Sequence, residues 1–113
     1  MLYEELIGKH KFSNRVILSN GTKELTYKEL DKQVQKKAEQ LRTLGIKAGM
    51  RVLIRNDNTI RTVIEILACI YLHVCFLPLP EGVTKERWSY IITDSQAFLL
   101  IDPVSEEYQL LKH

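Results

Sequence analysis

Three short apolar runs punctuate the second half of this chain: Arg51-Val52-Leu53-Ile54-Arg55, Cys75-Phe76-Leu77-Pro78-Leu79 and Ala97-Phe98-Leu99-Leu100-Ile101. Segments with helical character separate them, and that alternation constrains the fold more than any other feature. A strand that is apolar residue after residue, rather than at every second one, is covered on both faces. Such strands, linked by helices, build a parallel sheet with helices on either side, and right-handed crossovers leave almost no choice of winding. The chain therefore reads as α/β: three layers, with a mostly parallel sheet flanked by helices and an N-terminal β-hairpin before it.

The local signals fill in the elements. Val16-Ile17-Leu18 and Glu24-Leu25-Thr26 flank Asn20-Gly21, two residues that tolerate positive φ and so signal a tight hairpin. Thr26 and Glu29 stand at capping-box spacing, each able to satisfy a backbone N–H of the other. They predict a helix from about 27 to 44, with Leu30, Val34, Ala38 and Leu41 on one face. Gly45 suits the left-handed position just past its end. Residues 2–10 suggest a short amphipathic helix, with Leu2, Leu6 and Ile7 apolar and Glu4 and Glu5 in a first turn that favours acid. Asn56-Asp57-Asn58 offer N-caps for a helix over 59–72, whose only charges are Arg61 and Glu65; such a helix is expected to be buried on nearly every face. Thr84 can cap a helix through about 93, with Trp88, Ile91 and Ile92 as its apolar stripe. Asp102-Pro103 stops the last strand, and the tail 105–113 is expected to form a final helix.

A chain of 113 residues is one domain, 1–113, long enough for one real core. Lys and Arg exceed Asp and Glu by 16 − 14 = 2, interspersed rather than striped, which argues against nucleic acid as a partner. The apolar run 66–79 falls short of the ~18 residues a membrane span needs and carries Pro78. The acidic start Met1-Leu2-Tyr3-Glu4-Glu5 is unlike a secretory leader, so the expected setting is cytoplasmic. There Cys69 and Cys75 read as two buried free thiols; their spacing is too wide for a metal pair and His73 is the only nearby ligand type. Ser13, His10 and Asp31 supply the residue types of a hydrolase triad, but nothing puts Ser13 on a strained turn.

The hexapeptide Leu25-Thr26-Tyr27-Lys28-Glu29-Leu30 resembles the first core motif of the adenylate-forming enzymes, the acyl-CoA synthetases and the adenylation domains of nonribosomal peptide synthetases. Ala38, Leu41, Arg42, Leu44 and Gly45, then Gly49, Arg51 and Val52, follow in the family's order. Phe76, Leu77, Pro78 and Leu79 are similar to the end of its second core motif. Glu86-Arg87, Tyr90-Ile91 and Asp94-Ser95 resemble the segment after that. The departures are Tyr71, Leu72 and His73, where the family has Lys, Ala and Gly, and Pro80, where it has Asp. A Gly at 73 would let helix and strand approach closely, whereas His73 demands room or a partner for its ring nitrogens.

The resemblance implies part of the N-terminal subdomain of an adenylation domain, with Leu25, Thr26, Tyr27, Glu29, Leu30, Phe76, Pro78 and Leu79 as scaffold residues. It implies a parent family of ATP-dependent, AMP-forming ligases that activate amino or acyl acids and use ATP and Mg²⁺. Gripping ATP requires a loop rich in Gly and Ser or Thr that ends in Lys. The five glycines here are not clustered, and the family's loop and catalytic residues lie beyond His113. No catalytic, cofactor-binding or metal residue is therefore assigned, and no cofactor is expected for this chain. Three functional readings stand. The first is an N-terminal ligase fragment, structural and inactive by itself. The second is a free-standing, non-catalytic interaction module, and the third a small-ligand or nucleotide-binding domain using the carboxyl ends of the strands. The expected partner is another copy (a homo-oligomer), or the remainder of an adenylation domain or synthetase. It would cover an open sheet edge or the helix 59–72, with Tyr71, His73 and Trp88 as candidate contacts.

Overall fold

The computed structural model describes residues 3–19, 24–55, 59–79, 82–103 and 105–111. A four-residue helix α1 (Tyr3–Leu6) and a 3₁₀ turn (Gly8–His10) lead into β1 (Val16–Ser19) and β2 (Glu24–Thr26), which pair antiparallel with a bulge between Val16 and Leu18. Then come α2 (Tyr27–Thr43), β3 (Arg51–Arg55), α3 (Ile60–Tyr71), β4 (Cys75–Leu79), α4 (Lys85–Ser95), β5 (Leu99–Asp102) and β6 (Glu107–Leu110). The main sheet has the order β4-β3-β5-β6; β4, β3 and β5 are parallel and β6 is antiparallel to β5.

The winding reverses at β3. The chain steps outward to β4, then returns past β3 to β5, and two right-handed crossovers of opposite direction put their helices on opposite faces. Alternation along the strands bears this out. Val52 and Ile54 point into one buried cluster with Leu30, Val34, Ala38 and Leu41 of α2 and Ile64, Leu67 and Ala68 of α3. Leu53 points the other way, to Leu79 and Ala97 under Trp88, Ile91 and Ile92 of α4. Three layers result.

Helix α2 forms where its signals place it. The Thr26 Oγ1 accepts from the Glu29 N–H at 3.2 Å, and Glu29 Oε1 accepts from the Thr26 N–H at 3.0 Å. At the other end Gly45, at φ +98°, donates to Arg42 O, and Ile46 donates to Leu41 O. These two bonds make a Schellman motif, with Ile46 and Leu41 both buried at its apolar contact. Each of the large buried side chains on this stripe is worth roughly 1.5–3 kcal/mol of apolar burial.

Several expectations need correction. The tail is a strand, β6, not a helix: Tyr108 must face inward and β5 has an open edge, and ladder bonds outweigh a helix of that length, which is marginal on its own. Residues 3–10 are a pair of short turns rather than one helix, broken at Ile7, whose φ of −126° is not helical; Leu2 lies outside the described residues. Helix α3 is capped by Thr59, whose side chain accepts from the Thr62 N–H at 3.3 Å. Asn56, Asp57 and Asn58 lie outside the described residues, as do Asn20, Gly21 and Pro80. Strand β4 is mostly exposed, Leu79 apart: among the described residues it is an edge of the sheet, which is why Pro78 is tolerated within it; Cys75 on it is exposed, whereas Cys69 on α3 is buried. Val63, Ile66 and Ile70 of α3 are only half-buried.

Candidate functional site

The scaffold residues are mostly interior. Leu25, Leu30 and Leu79 are buried, Thr26 and Glu29 hold the start of α2, and the Tyr27 ring packs on His10 at 4.7 Å between centroids. Phe76 is half-buried and Pro78 exposed, both on β4. Among the described residues no strand pairs with the outward side of β4. Leu77 on the same strand is 38 % exposed, so an apolar, unpaired edge faces outward.

The three candidate contact residues do not converge. Tyr71 is half-buried and committed: its ring meets Tyr3 edge-on at 5.2 Å and lies under the Arg42 guanidinium. His73 is exposed at φ +58°, in the left-handed position that ends α3, where its N–H donates to Ile70 O and the Val74 N–H donates to Cys69 O. A Gly at this position would relieve that left-handed backbone conformation. Trp88 is on the opposite face of the sheet. The Arg55 guanidinium lies 5.1 Å over its ring, beside a shallow groove of about 560 Å³ lined also by Ile92, Leu100 and Gln109.

At the carboxyl ends of the strands, Arg55 and Asp102 form an ion pair at 3.9 Å beside a hollow of about 70 Å³. That is too small for a nucleotide. Among the described residues no grouping of three or more His, Cys, Asp or Glu could hold a metal ion. Ser13, His10 and Asp31 form no triad either: Ser13 Oγ accepts from the Arg15 N–H, His10 lies on Tyr27, and Asp31 accepts from the Tyr3 hydroxyl at 2.9 Å.

One polar cluster went unread in the sequence. Glu65 of α3 is 2 % exposed inside an otherwise apolar cluster. Its Oε1 accepts from the Tyr108 hydroxyl of β6, and the Lys37 ammonium of α2 lies 3.3 Å away. Lys37 also donates to the Tyr108 oxygen at 2.7 Å. Oε2 is the one buried side-chain polar atom among the described residues without a hydrogen-bond partner. Burial lifts the Glu65 carboxyl above the ordinary carboxylate range, although Tyr108 and Lys37 pull the other way. Burial, then the Glu65 charge, pushes the Cys69 thiol up to about 12; burial, then the hydrogen bond to Glu65, raises the Tyr108 hydroxyl. The cluster ties three elements together and presents no exposed nucleophile or base. A lone Glu in an apolar helix was its only signal in the sequence.

Among the described residues no helix is long and apolar enough to cross a membrane. A profile of the AMP-binding enzyme family matches residues 8–112. The hydroxamate-type ferrichrome siderophore peptide synthetase of Schizosaccharomyces pombe is 36 % identical over 77 residues, 68 % of this chain. Tyrocidine synthase 3 of Brevibacillus parabrevis is 32 % identical over 100 residues, 88 % of this chain. The chain spans only 2 % of the length of either relative. Among solved structures, VinN superposes with a TM-score of 0.82 at 24 % identity, over 89 % of this chain and 26 % of that one. The Klebsiella oxytoca NpsA N-terminal subdomain gives 0.77 at 22 % identity, over 88 % of this chain and 25 % of that one. The fold is that of the N-terminal subdomain of these adenylation proteins.

Proposed function

The chain belongs to the AMP-binding enzyme family, and from that premise we propose that it is a structural N-terminal portion of an adenylate-forming ligase without adenylating activity of its own. The observation that carries this reading is the family match over residues 8–112 on a scaffold whose apolar β4 edge is open. In this reading the remainder of an adenylation domain covers that edge and holds ATP and Mg²⁺, while Thr26, Glu29 and the buried Leu25, Leu30 and Leu79 keep the subdomain rigid. The free thiols Cys69 and Cys75 fit a reducing, cytoplasmic setting.

The test is ATP–pyrophosphate exchange by the purified 113-residue chain over a panel of amino and acyl acids. No exchange is expected; exchange that persists after contaminants are excluded overturns the reading. A second copy of the chain is the other cover the β4 edge supports, which corresponds to a free-standing interaction module. Sedimentation at micromolar concentration detects it as a dimer or larger assembly, and a clean monomer without dye-binding apolar surface removes it.

A further inference from the structure

At the flank of the main sheet away from β4, strand β6 is attached by few contacts. It pairs with β5 over four residues and exposes Glu107, Gln109 and Leu110. Its inward anchors are Tyr108, whose hydroxyl donates to Glu65 and accepts from Lys37, and Leu111 just beyond it, half-buried against Leu53, Leu79 and Ala97. Only positions 103–106 connect the paired Asp102 and Glu107. Pro103 is fully buried and stays with the core, whereas Ser105 and Glu106 are exposed. Glu106 closes the connection at φ +56°, a left-handed conformation that is costly for a residue with a Cβ. Closure also brings the Glu106 carboxylate near enough to the cluster to raise both Glu65 and Tyr108, an approach of like charge to a buried acid. A short connection under strain favours exchange of the strand it carries between copies.

We propose that β6 exchanges between two copies of this chain, so that the Tyr108 of each copy completes the Glu65–Lys37 cluster of the other. The β5–β6 ladder and the Tyr108 tie recur unchanged in the exchanged form, while the left-handed turn at Glu106 is released to extended backbone. The buried acid makes the exchange selective. A chain whose β6 has opened leaves Glu65 with Lys37 alone, and Oε2 has no hydrogen-bond partner among the described residues even when β6 is closed. A carboxylate in that state is costly to bury, and a strand that sets a hydroxyl opposite Ile101 restores its partner. A second copy supplies that strand in the same register. The exchange uses the β5 flank and leaves the β4 edge free, so it does not depend on the chain having a role in adenylation.

Refolding tests this. The chain is unfolded in urea, refolded at high protein concentration, and its products are separated by size. A dimer is expected that persists on dilution, because return to monomer requires β6 to leave β5. Two chains report the register directly: both carry Cys75→Ser, one with Leu100→Cys and the other with Gln109→Cys, since positions 100 and 109 face each other across β5 and β6. Refolded together in a glutathione redox buffer, they should give a disulfide-linked heterodimer, which an association through the β4 edge would not. Glu106→Gly accepts the left-handed turn without strain and should lower the dimer fraction several-fold. Gln96→Gly relieves the same conformation, φ +53°, at the end of α4 and should leave the fraction unchanged. Refolding to monomer alone, an assembly that forms without the cross-link between positions 100 and 109, or an equal dimer fraction in the parent and Glu106→Gly overturns the proposal.

Discussion

His73→Gly should stabilise this protein. The position is exposed, so the imidazole contributes little packing, and its backbone sits at φ +58°. The left-handed conformation costs an ordinary residue roughly 1–2 kcal/mol, and Gly almost nothing. Gly also loosens the unfolded chain, which returns about 0.4–1 kcal/mol of that gain. The net is a stabilisation of about 0.5–1 kcal/mol. At ~4–8 °C per kcal/mol for a chain of this order of size, the melting temperature should rise by about 2–8 °C. Both backbone bonds that fix the turn survive the change: the His73 N–H to Ile70 O at 3.2 Å, and the Gly49 N–H to His73 O at 3.0 Å. His73→Val supplies the opposite limit, because a β-branched residue is a genuine outlier at positive φ; it should melt below the parent. Thermal denaturation followed by circular dichroism decides the matter. If the Gly and Val variants both melt with the parent, α3 does not end in a strained left-handed residue. If His73 also touches a partner, the Gly variant will be more stable yet associate less, and sedimentation separates the two effects.

Glu65 should give the protein an unusual pH dependence. Its folded-state carboxyl is raised, so between the ordinary carboxylate value and the raised one the folded chain holds a proton that the unfolded chain has lost; that contribution is present below the window and fades as pH rises through it. The stability difference between parent and Glu65→Gln, measured by urea unfolding from pH 4 to 8, should therefore shift against the parent as pH rises, and a flat difference would contradict the assignment. Ellman's reagent should modify Cys75 quickly in the folded chain and Cys69 only after unfolding, because one thiol is exposed and the other is buried and pushed up to about 12; two equally fast thiols would show that α3 is open. Thr26→Ala should lose about 1 kcal/mol through the cap, whereas Leu41→Asp puts a carboxylate among buried side chains and should unfold the domain; a Leu41→Asp chain melting with the parent would remove that face from the core.

What could be read from the sequence was local or periodic. The capping box at Thr26 and Glu29, the stripe through Leu41 and the Gly45 stop all act within a turn or two of themselves, so no tertiary knowledge was needed. The parallel sheet followed from continuous apolar runs. The errors fall where a distant partner decides. Cys75 and Leu77 look interior by composition, yet β4 has a neighbour on one side only, and composition does not say which strand is the edge. The tail looked helical because nothing near it in sequence reports the open flank of β5. The cluster of Lys37, Glu65 and Tyr108 draws one residue from each of three elements, and no spacing rule connects them.

The tie between Glu65 and Tyr108 spans 43 positions of sequence. At roughly 5–20 residues per second of synthesis, several seconds pass between the appearance of the carboxylate and that of the hydroxyl that meets it. Until then α3 would have to bury its acid with Lys37 alone, and an incompletely partnered carboxylate strongly prefers water. The nascent helix is therefore expected to bury Glu65 poorly until that partner arrives. Closing this side of the core is then expected to wait for the tyrosine of β6 rather than to occur as an early collapse.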